Sequence, residues 1–414
     1  MAHLLVVELP GGNDFDVIET ALGLGHRVTF VTGDLAHYRR RAEVSAWLDR
    51  THAIVEVPGF DYALLEELVL AIHAETPIEA LLCLIDIRMV EASRLARRLS
   101  LHFLNPDSAA RLRDKFSVRQ RLLERGIPQP RFALATSDDE LRAAVDEIGL
   151  PVLVKPSDGY GSQNIVVFRS SDDLIPLFVP FEDYLPSRTD YGLGVQANDR
   201  LLVERFIEGV VIGCDTFSRD GEHRFLGINE KRFFPLPSFA IEGGCFPSEN
   251  FDEAAVRDYV FRVLDALDFD CGAAHTELLV SPEGIWLVEV NARLVGAQIP
   301  RLLGYALDRS LHAELIKLHL GLPLDLPERP SQFAVSRWIV AESAGIIESI
   351  ELPETDDKRI RCVALFKRPG DPVRPPIENA DRIGYVMTVG ATRQEAERIA
   401  EEFVRAAKVT IVPG

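Results

Sequence analysis

Over residues 1–105, short apolar runs alternate with stretches in which apolar side chains recur every three or four positions. Residues 4–9, 27–31, 53–57, 80–85 and 102–104 read as strands, and residues 15–24, 62–75 and 90–99 place their apolar side chains on one helical face. Such alternation predicts a doubly wound parallel sheet, which binds ligands beyond the carboxyl ends of its strands. The Pro10-Gly11-Gly12-Asn13 turn falls at one of those ends, but without a G-x-G-x-x-G pattern it is read as a plain tight turn.

The texture changes at Asn105-Pro106. A basic helical stretch over 108–125 closes at Gly126, Pro128 and Pro130, which marks a domain boundary. Ser137-Asp138-Asp139-Glu140 matches a capping box opening a helix to 148. A strand at 152–155, a glycine loop at 156–164, a strand at 165–168, a polar insertion around 180–199 and a strand at 200–206 follow. Further strands are expected at 214–218, 274–280 and 285–290, with helices at 253–267 and 309–320. A proline-rich connector at 323–330 leads to 333–414, expected as strands ending in one amphipathic helix that runs from the capping box Thr392-Arg393-Gln394-Glu395 to about 407. The expected domains are 1–107, 108–328 (a lid subdomain at about 130–206 and a catalytic subdomain at about 207–328) and 329–414. The fold class is α/β, with α+β parts.

Composition narrows the function. A chain of 414 residues, 47% hydrophobic and 26% charged, is an ordinary globular protein with material for two to four domains. The formal charge of −19 repels phosphate backbones and anionic lipid, so neither nucleic acid nor membrane is the expected partner. Cys83, Cys214, Cys245, Cys271 and Cys362 are scattered without a Cys-x-x-Cys pair, and no run approaches a membrane span. A cytoplasmic protein is expected.

The chemistry concentrates in three segments. In Ile285-Trp286-Leu287-Val288-Glu289-Val290-Asn291-Ala292-Arg293, strand alternation puts Glu289, Asn291 and Arg293 on one face and Val288, Val290 and Ala292 on the other. With Ser281-Pro282-Glu283-Gly284 as a hairpin turn, Glu277 joins the polar row. Two carboxylates and an amide oxygen are hard ligands that suit Mg²⁺ when phosphate and water complete its shell; the competing reading is a solvated polar face. The second segment, around Lys155-Pro156-Ser157-Asp158-Gly159, offers an ammonium and unhindered backbone N–H groups to a polyphosphate, or is simply a lysine beside a hairpin. The third, from Leu201 to Gly209, is a strand edge whose backbone suits a flat heterocycle.

In this order the segments resemble the ATP-grasp superfamily of carboxylate–amine ligases over about residues 1–330, and the tail resembles the extra C-terminal domain of its amino-acid ligase branch. The resemblance implies an ATP-grasp fold behind an N-terminal parallel-sheet domain. Lys115, in Arg113-Asp114-Lys115-Phe116, is similar to the family's first ATP lysine and Lys155 to the second. Further ATP contacts are implied for Ser157, Gly159, Gly161 and Ser162, and for Glu204, Arg205, Phe206, Ile207 and Glu208, with Arg205 and Ile207 acting through their backbones. Glu277, Glu289 and Asn291 are implied ligands of Mg²⁺, or of Mn²⁺ in its place, and Arg293 meets the transferring phosphate. Val211 departs from the family, which commonly has a ribose-contacting acid there; Glu208 is the candidate substitute. His275, two residues before Glu277, and Lys231 and Glu242, in a stretch similar to the branch's substrate-side loop, are substrate candidates. Each has a plainer reading: a histidine in a hydrogen-bonded cluster, a surface lysine, a solvated carboxylate.

The activity so implied is ATP-dependent ligation. A small carboxylate, expected to be an amino acid, becomes an acyl phosphate and is taken by an amine, with Lys155 and Arg293 catalytic, His275 as the amine's base and the loop 157–163 as a water-excluding lid. Two readings stay open beside it: an ATP-grasp carboxylase or formyl-phosphate enzyme of purine or biotin-like metabolism, and an ATP-binding module without catalysis. The expected partners are small molecules, with a homodimer as the default assembly.

Overall fold

The N-terminal strands β1 (His3–Val7), β2 (Arg27–Thr32), β3 (Ala53–Glu56) and β4 (Ala80–Cys83) form a parallel sheet in the order β3-β2-β1-β4. The computed structural model describes residues 1–9, 15–40, 42–159, 165–169, 200–235, 238 and 240–413. β1 is buried along its whole length, which is why its run is apolar without alternation. Helices α1 (Asp16–Gly23), α2 (Leu35–Arg39), α3 (Ala42–Leu48), α4 (Tyr62–Glu75) and α5 (Met89–Arg98) accompany this sheet. The strand expected at 102–104 does not form. There the His102 carbonyl accepts from His319 Nδ1 (2.8 Å) and Phe103 stacks on the His319 ring, so the segment is held by a later helix instead of a ladder.

The helical stretch expected over 108–125 is two helices, α6 (Pro106–Leu112) and α7 (Lys115–Glu124). Asn105 caps α6 with Pro106 in its first turn, and Asp114 caps α7 by accepting from the Phe116 N–H. The break makes Lys115 the first residue of a helix and lets its N–H donate to the Ser157 carbonyl (2.8 Å).

Strands β5 (Phe132–Ala135), β6 (Val152–Pro156), β7 (Val166–Phe168) and β8 (Leu201–Arg205) form an antiparallel sheet in the order β5-β8-β6-β7, packed on α8 (Asp138–Ile148). Ser137 caps α8, but the Glu140 carboxylate reaches Thr136, so only half of the expected capping box forms. Gly161, Ser162, most of the 157–163 loop, the 180–199 insertion and the Pro10-Gly11-Gly12-Asn13 turn lie outside the described residues.

A larger sheet runs β13-β12-β9-β10-β11-β14-β18-β16, built from β9 (Val210–Arg219), β10 (Glu222–Phe233), β11 (Ile241–Phe246), β12 (Gly272–Ser281), β13 (Gly284–Asn291), β14 (Phe333–Ile339), β16 (Ile360–Leu365) and β18 (Gly384–Gly390). Strands on both sides of residue 329 therefore share one sheet. Helices α9 (Glu253–Ala266), α10 (Ile299–Leu307), α11 (Leu311–His319) and α12 (Arg393–Ala406) pack around it. A small sheet, β15 (Gly345–Glu351), β17 (Pro372–Val373) and β19 (Lys408–Val412), finishes the tail. The chain thus ends on a strand and not on the expected helix, because Val409 and Ile411 alternate inward onto the core beneath α12. Among the described residues no helix is long and apolar enough to cross a membrane.

The β12–β13 ladder shifts register between Glu277 and Leu278, leaving Val288 as an extra residue. Leu287 and Val290 pack in the core, and Val288 joins Glu289 on the cleft side, contrary to strict alternation. The Tyr259 hydroxyl anchors this bulge: it accepts from the Leu287 N–H (3.0 Å) and donates to the Pro128 carbonyl (2.7 Å). Tyr259→Phe leaves both groups buried without that partner and is expected to lower stability by about 1–3 kcal/mol, seen as a lower urea midpoint at unchanged slope.

Candidate active site

Lys115, Lys155, Gly159, Lys231, His275, Glu277, Glu289, Asn291 and Arg293 line one cleft of ≈ 270 Å³, with walls from both antiparallel sheets. The β12–β13 pairing sets Glu277 opposite Glu289 and His275 opposite Asn291. Each cation in the cleft meets an acid. Lys231 Nζ lies 2.7 Å from Glu277, Lys115 Nζ 3.1 Å from Glu289 and Lys155 Nζ 2.6 Å from Glu204. Lys115 also donates to the Gly159 carbonyl. Arg293 holds Asp86 through Nε (2.7 Å) and Nη2 (2.6 Å). Asp86 follows β4 in the N-terminal layer; its only sequence signal is that position at the carboxyl end of a parallel strand.

His275 is buried between two carboxylates, with Nδ1 3.0 Å from Asp215 and Nε2 3.6 Å from Glu277. Asp215 also accepts from Asn229 (2.7 Å). A Cβ at Gly213 would stand 2.5 Å from the Asn229 amide oxygen and 2.7 Å from the His275 ring, so glycine on β9 makes room for the cluster. Burial disfavours a charged ring, yet Asp215 and then Glu277 outweigh it and push His275 up to about 9. A ring held toward its charged form in this way is poorly suited to the amine-base role expected for it, and its two nitrogens face Asp215 and Glu277. Burial likewise opposes ionisation of Glu277, but His275 and Lys231 hold its carboxyl well below the usual carboxylate range.

Glu204 is also reassigned. Its buried carboxylate bridges Lys155 and Arg119, and Arg119 continues to the Leu287 carbonyl (2.7 Å). Burial would raise Glu204, but the two cations hold it at about 2. Burial, only partly offset by Glu204, keeps the Lys155 ammonium below its ordinary value. The Glu204 carboxylate is therefore turned inward, between Lys155 and Arg119, and is not presented at an open strand edge. Further along this edge, the N–H groups of Arg205 and Phe206 are taken by the carbonyls of Arg131 (2.8 Å) and Pro151 (3.0 Å). Among the described residues the Ile207 N–H has no partner. Glu208 is exposed and pairs with Arg169 (3.1 Å).

Two expected contacts fall elsewhere. Ser157 is fully buried and its hydroxyl donates to Asp114, so it ties the loop base to α7. Glu242 is the extra residue where β11 shifts register against β10, and its carboxylate turns to Arg232 (2.7 Å) in a different cleft lined also by Arg337 and Glu401. Among the described residues no three His, Cys, Asp or Glu side chains gather as a metal cluster; the third hard donor here is the Asn291 amide.

Comparison with known proteins agrees with this geometry. A model of the ATP-grasp domain matches residues 148–300, and a model of the L-amino acid ligase C-terminal domain 2 matches residues 337–412. An uncharacterized protein, y4rH, of Sinorhizobium fredii is 30% identical over 77% of this chain, a match that spans 66% of that protein's length. The L-arginine-specific L-amino acid ligase of Bacillus subtilis is 23% identical over 80% of this chain and 79% of its own. Among solved structures, an L-amino acid ligase from Bacillus licheniformis superposes with a TM-score of 0.77 at 19% identity, covering 100% of this chain and 99% of that one. A phosphoribosylglycinamide synthetase from Anaerococcus prevotii does almost as well, with a TM-score of 0.76 at 16% identity over 99% and 100% of the two chains, so fold alone does not separate these chemistries.

The His275 cluster makes stability depend on pH with a definite sign. A histidine raised from 6.5 to about 9 stabilises the fold fully below 6.5 and loses that contribution as pH climbs through 9. His275→Gln is expected to flatten the stability–pH curve over that window by on the order of 3 kcal/mol, read from urea unfolding at stepped pH. An unchanged curve removes the ion cluster from the account.

Proposed function

Because the chain belongs to the ATP-grasp superfamily and carries the C-terminal domain of the L-amino acid ligases, we propose that it joins an amino acid, through its carboxylate, to an amine at the expense of ATP. The observation that supports this best is the cleft itself, where three lysines and an arginine surround two carboxylates and an amide. In the first step a carboxylate oxygen attacks the γ-phosphorus, and the bond to the bridging oxygen breaks to release ADP. In the second the amine nitrogen attacks the acyl carbon, the carbon–oxygen bond to phosphate breaks, and the nitrogen's surplus proton leaves with the phosphate. Both steps need charge neutralisation and alignment more than covalent help from the protein, which suits Lys115, Lys155, Lys231 and Arg293.

Glu277, Glu289 and Asn291 would hold Mg²⁺. The donor set fits: the ammonium groups of Lys231 and Lys115 already rest against both carboxylates, where positive charge is wanted. When bound, the ion supplies further neutralisation of the triphosphate. The free Ile207 N–H is suited to an adenine ring nitrogen, and Lys155 and Lys115 to the phosphates behind it. His275 keeps Glu277 ionised and oriented, and the amine arrives neutral by desolvation. We place the protein in the cytoplasm, where its five free thiols stay reduced. The carboxylase reading shares the fold, but the ligase reading has the tail domain and the Bacillus subtilis relative in its favour.

A phosphate-release screen over all amino acid pairs, with mass spectrometry of products, tests the proposal; release that requires bicarbonate or formate instead rejects it. Glu289→Ala is expected to reduce ADP formation by on the order of 10²-fold or more without unfolding the protein, and a wild-type rate would reject the metal assignment. Arg293→Ala is expected to lose product formation more than ATP binding. Lys155 is a poorer probe, since its removal also breaks a buried ion pair.

A further inference from the structure

The cleft continues past Ile241 and Ile299 into a second cavity of ≈ 170 Å³; Lys231 and those two isoleucines line both. Leu302 of α10 and Trp338, Tyr385 and Met387 of the tail strands make most of its wall apolar. One tail cation stands in it. The Arg382 guanidinium lies over the Trp338 ring, 3.6 Å from the centroid, and its Nε donates to the Asn379 carbonyl (2.8 Å).

Every cation of the neighbouring cleft has an acid beside it, but among the described residues no carboxylate pairs with Arg382. The two acids nearest in sequence are both occupied: Glu378 and Asp381 meet Arg374 at 2.7 and 2.6 Å. Burial accordingly pulls Arg382 down to about 10 with no anion to offset it. A half-buried guanidinium without a counter-charge costs solvation that an incoming anion restores. Its planar fork matches a carboxylate, and stacking on Trp338 fixes the plane in advance.

A carboxylate that is being phosphorylated must sit beside the γ-phosphate in the main cleft. Any carboxylate at Arg382 is therefore a second, non-reacting one. We propose that Arg382 binds a non-reacting carboxylate of a substrate amino acid whose apolar part fills the cavity beside it. This rests on the ligase reading for which carboxylate reacts, while the binding it predicts can be measured without turnover.

The test is calorimetric titration of the full-length protein with the twenty amino acids and their α-amides, in the wild type and in Arg382→Gln. At least one amino acid is expected to bind the wild type about 10- to 100-fold more tightly than the form lacking a carboxylate, and Arg382→Gln to erase that difference while ATP binding stays unchanged. Loss on α-amidation identifies the α-carboxylate as the ligand. A preference for aspartate or glutamate over asparagine or glutamine, insensitive to α-amidation, identifies a side-chain carboxylate, and either supports the proposal. It is overturned if no amino acid binds the wild type, or if Arg382→Gln keeps the preference. Should that variant fail to fold, Arg382→Lys, which keeps the charge but loses the fork, is judged by the same loss of preference. Binding without ADP formation in the phosphate-release screen would reject the ligase reading and leave this one standing.

Discussion

The site depends on counter-charge. Three lysines and an arginine cannot be held within one narrow cleft unless acids stand among them, and here each has its own: Lys231 with Glu277, Lys115 with Glu289, Lys155 with Glu204, Arg293 with Asp86. These pairs do two different jobs. Glu204 is fully enclosed by Lys155 and Arg119, so that pairing is permanent and fixes where the lysine points. Glu277 and Glu289 stay partly exposed at the cleft, so on the proposed reaction their lysines exchange a carboxylate for a phosphate oxygen without leaving a buried charge alone.

Backbone geometry makes this arrangement available. The bulge at Val288 re-aims β13 just before Glu289, and Tyr259 and Arg119 hold Leu287 on its core side. Gly213 leaves the space into which His275 and Asn229 fit above β9. Asp215 then charges His275, and His275 helps keep Glu277 ionised, so a residue with no exposure to the cleft sets the state of one that has it. The chain of influence is only two contacts deep, a hydrogen bond between His275 and Asp215 and an ion pair between His275 and Glu277.

Much of this was legible in the sequence because strand periodicity is a local property. The polar row Glu289, Asn291, Arg293 and its partner Glu277 follow from alternation across a hairpin, and the parallel N-terminal sheet follows from its strand–helix rhythm. What failed was whatever depended on one inserted residue or a distant partner. The bulges at Val288 and Glu242 reverse the side on which a side chain emerges, and no propensity marks them. Asp86 meets Arg293 across 207 positions. Glu204 looked like part of an exposed edge because its two cations come from α7 and β6, which only the fold brings together. His275 was visible as a site residue, but its charge is set by Asp215, sixty positions away.

The tail shows how far sheet continuity reaches. β14 pairs with β11 from Phe246 to Gly243, and β18 with β14 along its whole length, so the last strands are bonded edge to edge with those that carry the cleft. A domain tethered only by a linker could move independently of the site. One that shares a ladder cannot do so without breaking backbone hydrogen bonds. Trp338 and Tyr385, side by side across that ladder, are therefore fixed relative to Lys231 and Ile241 as firmly as any residue within β10 or β11. A tail held this rigidly is less a cover over the cleft than one wall of the cavity beside it, and differences among its side chains become differences in that cavity's shape and charge.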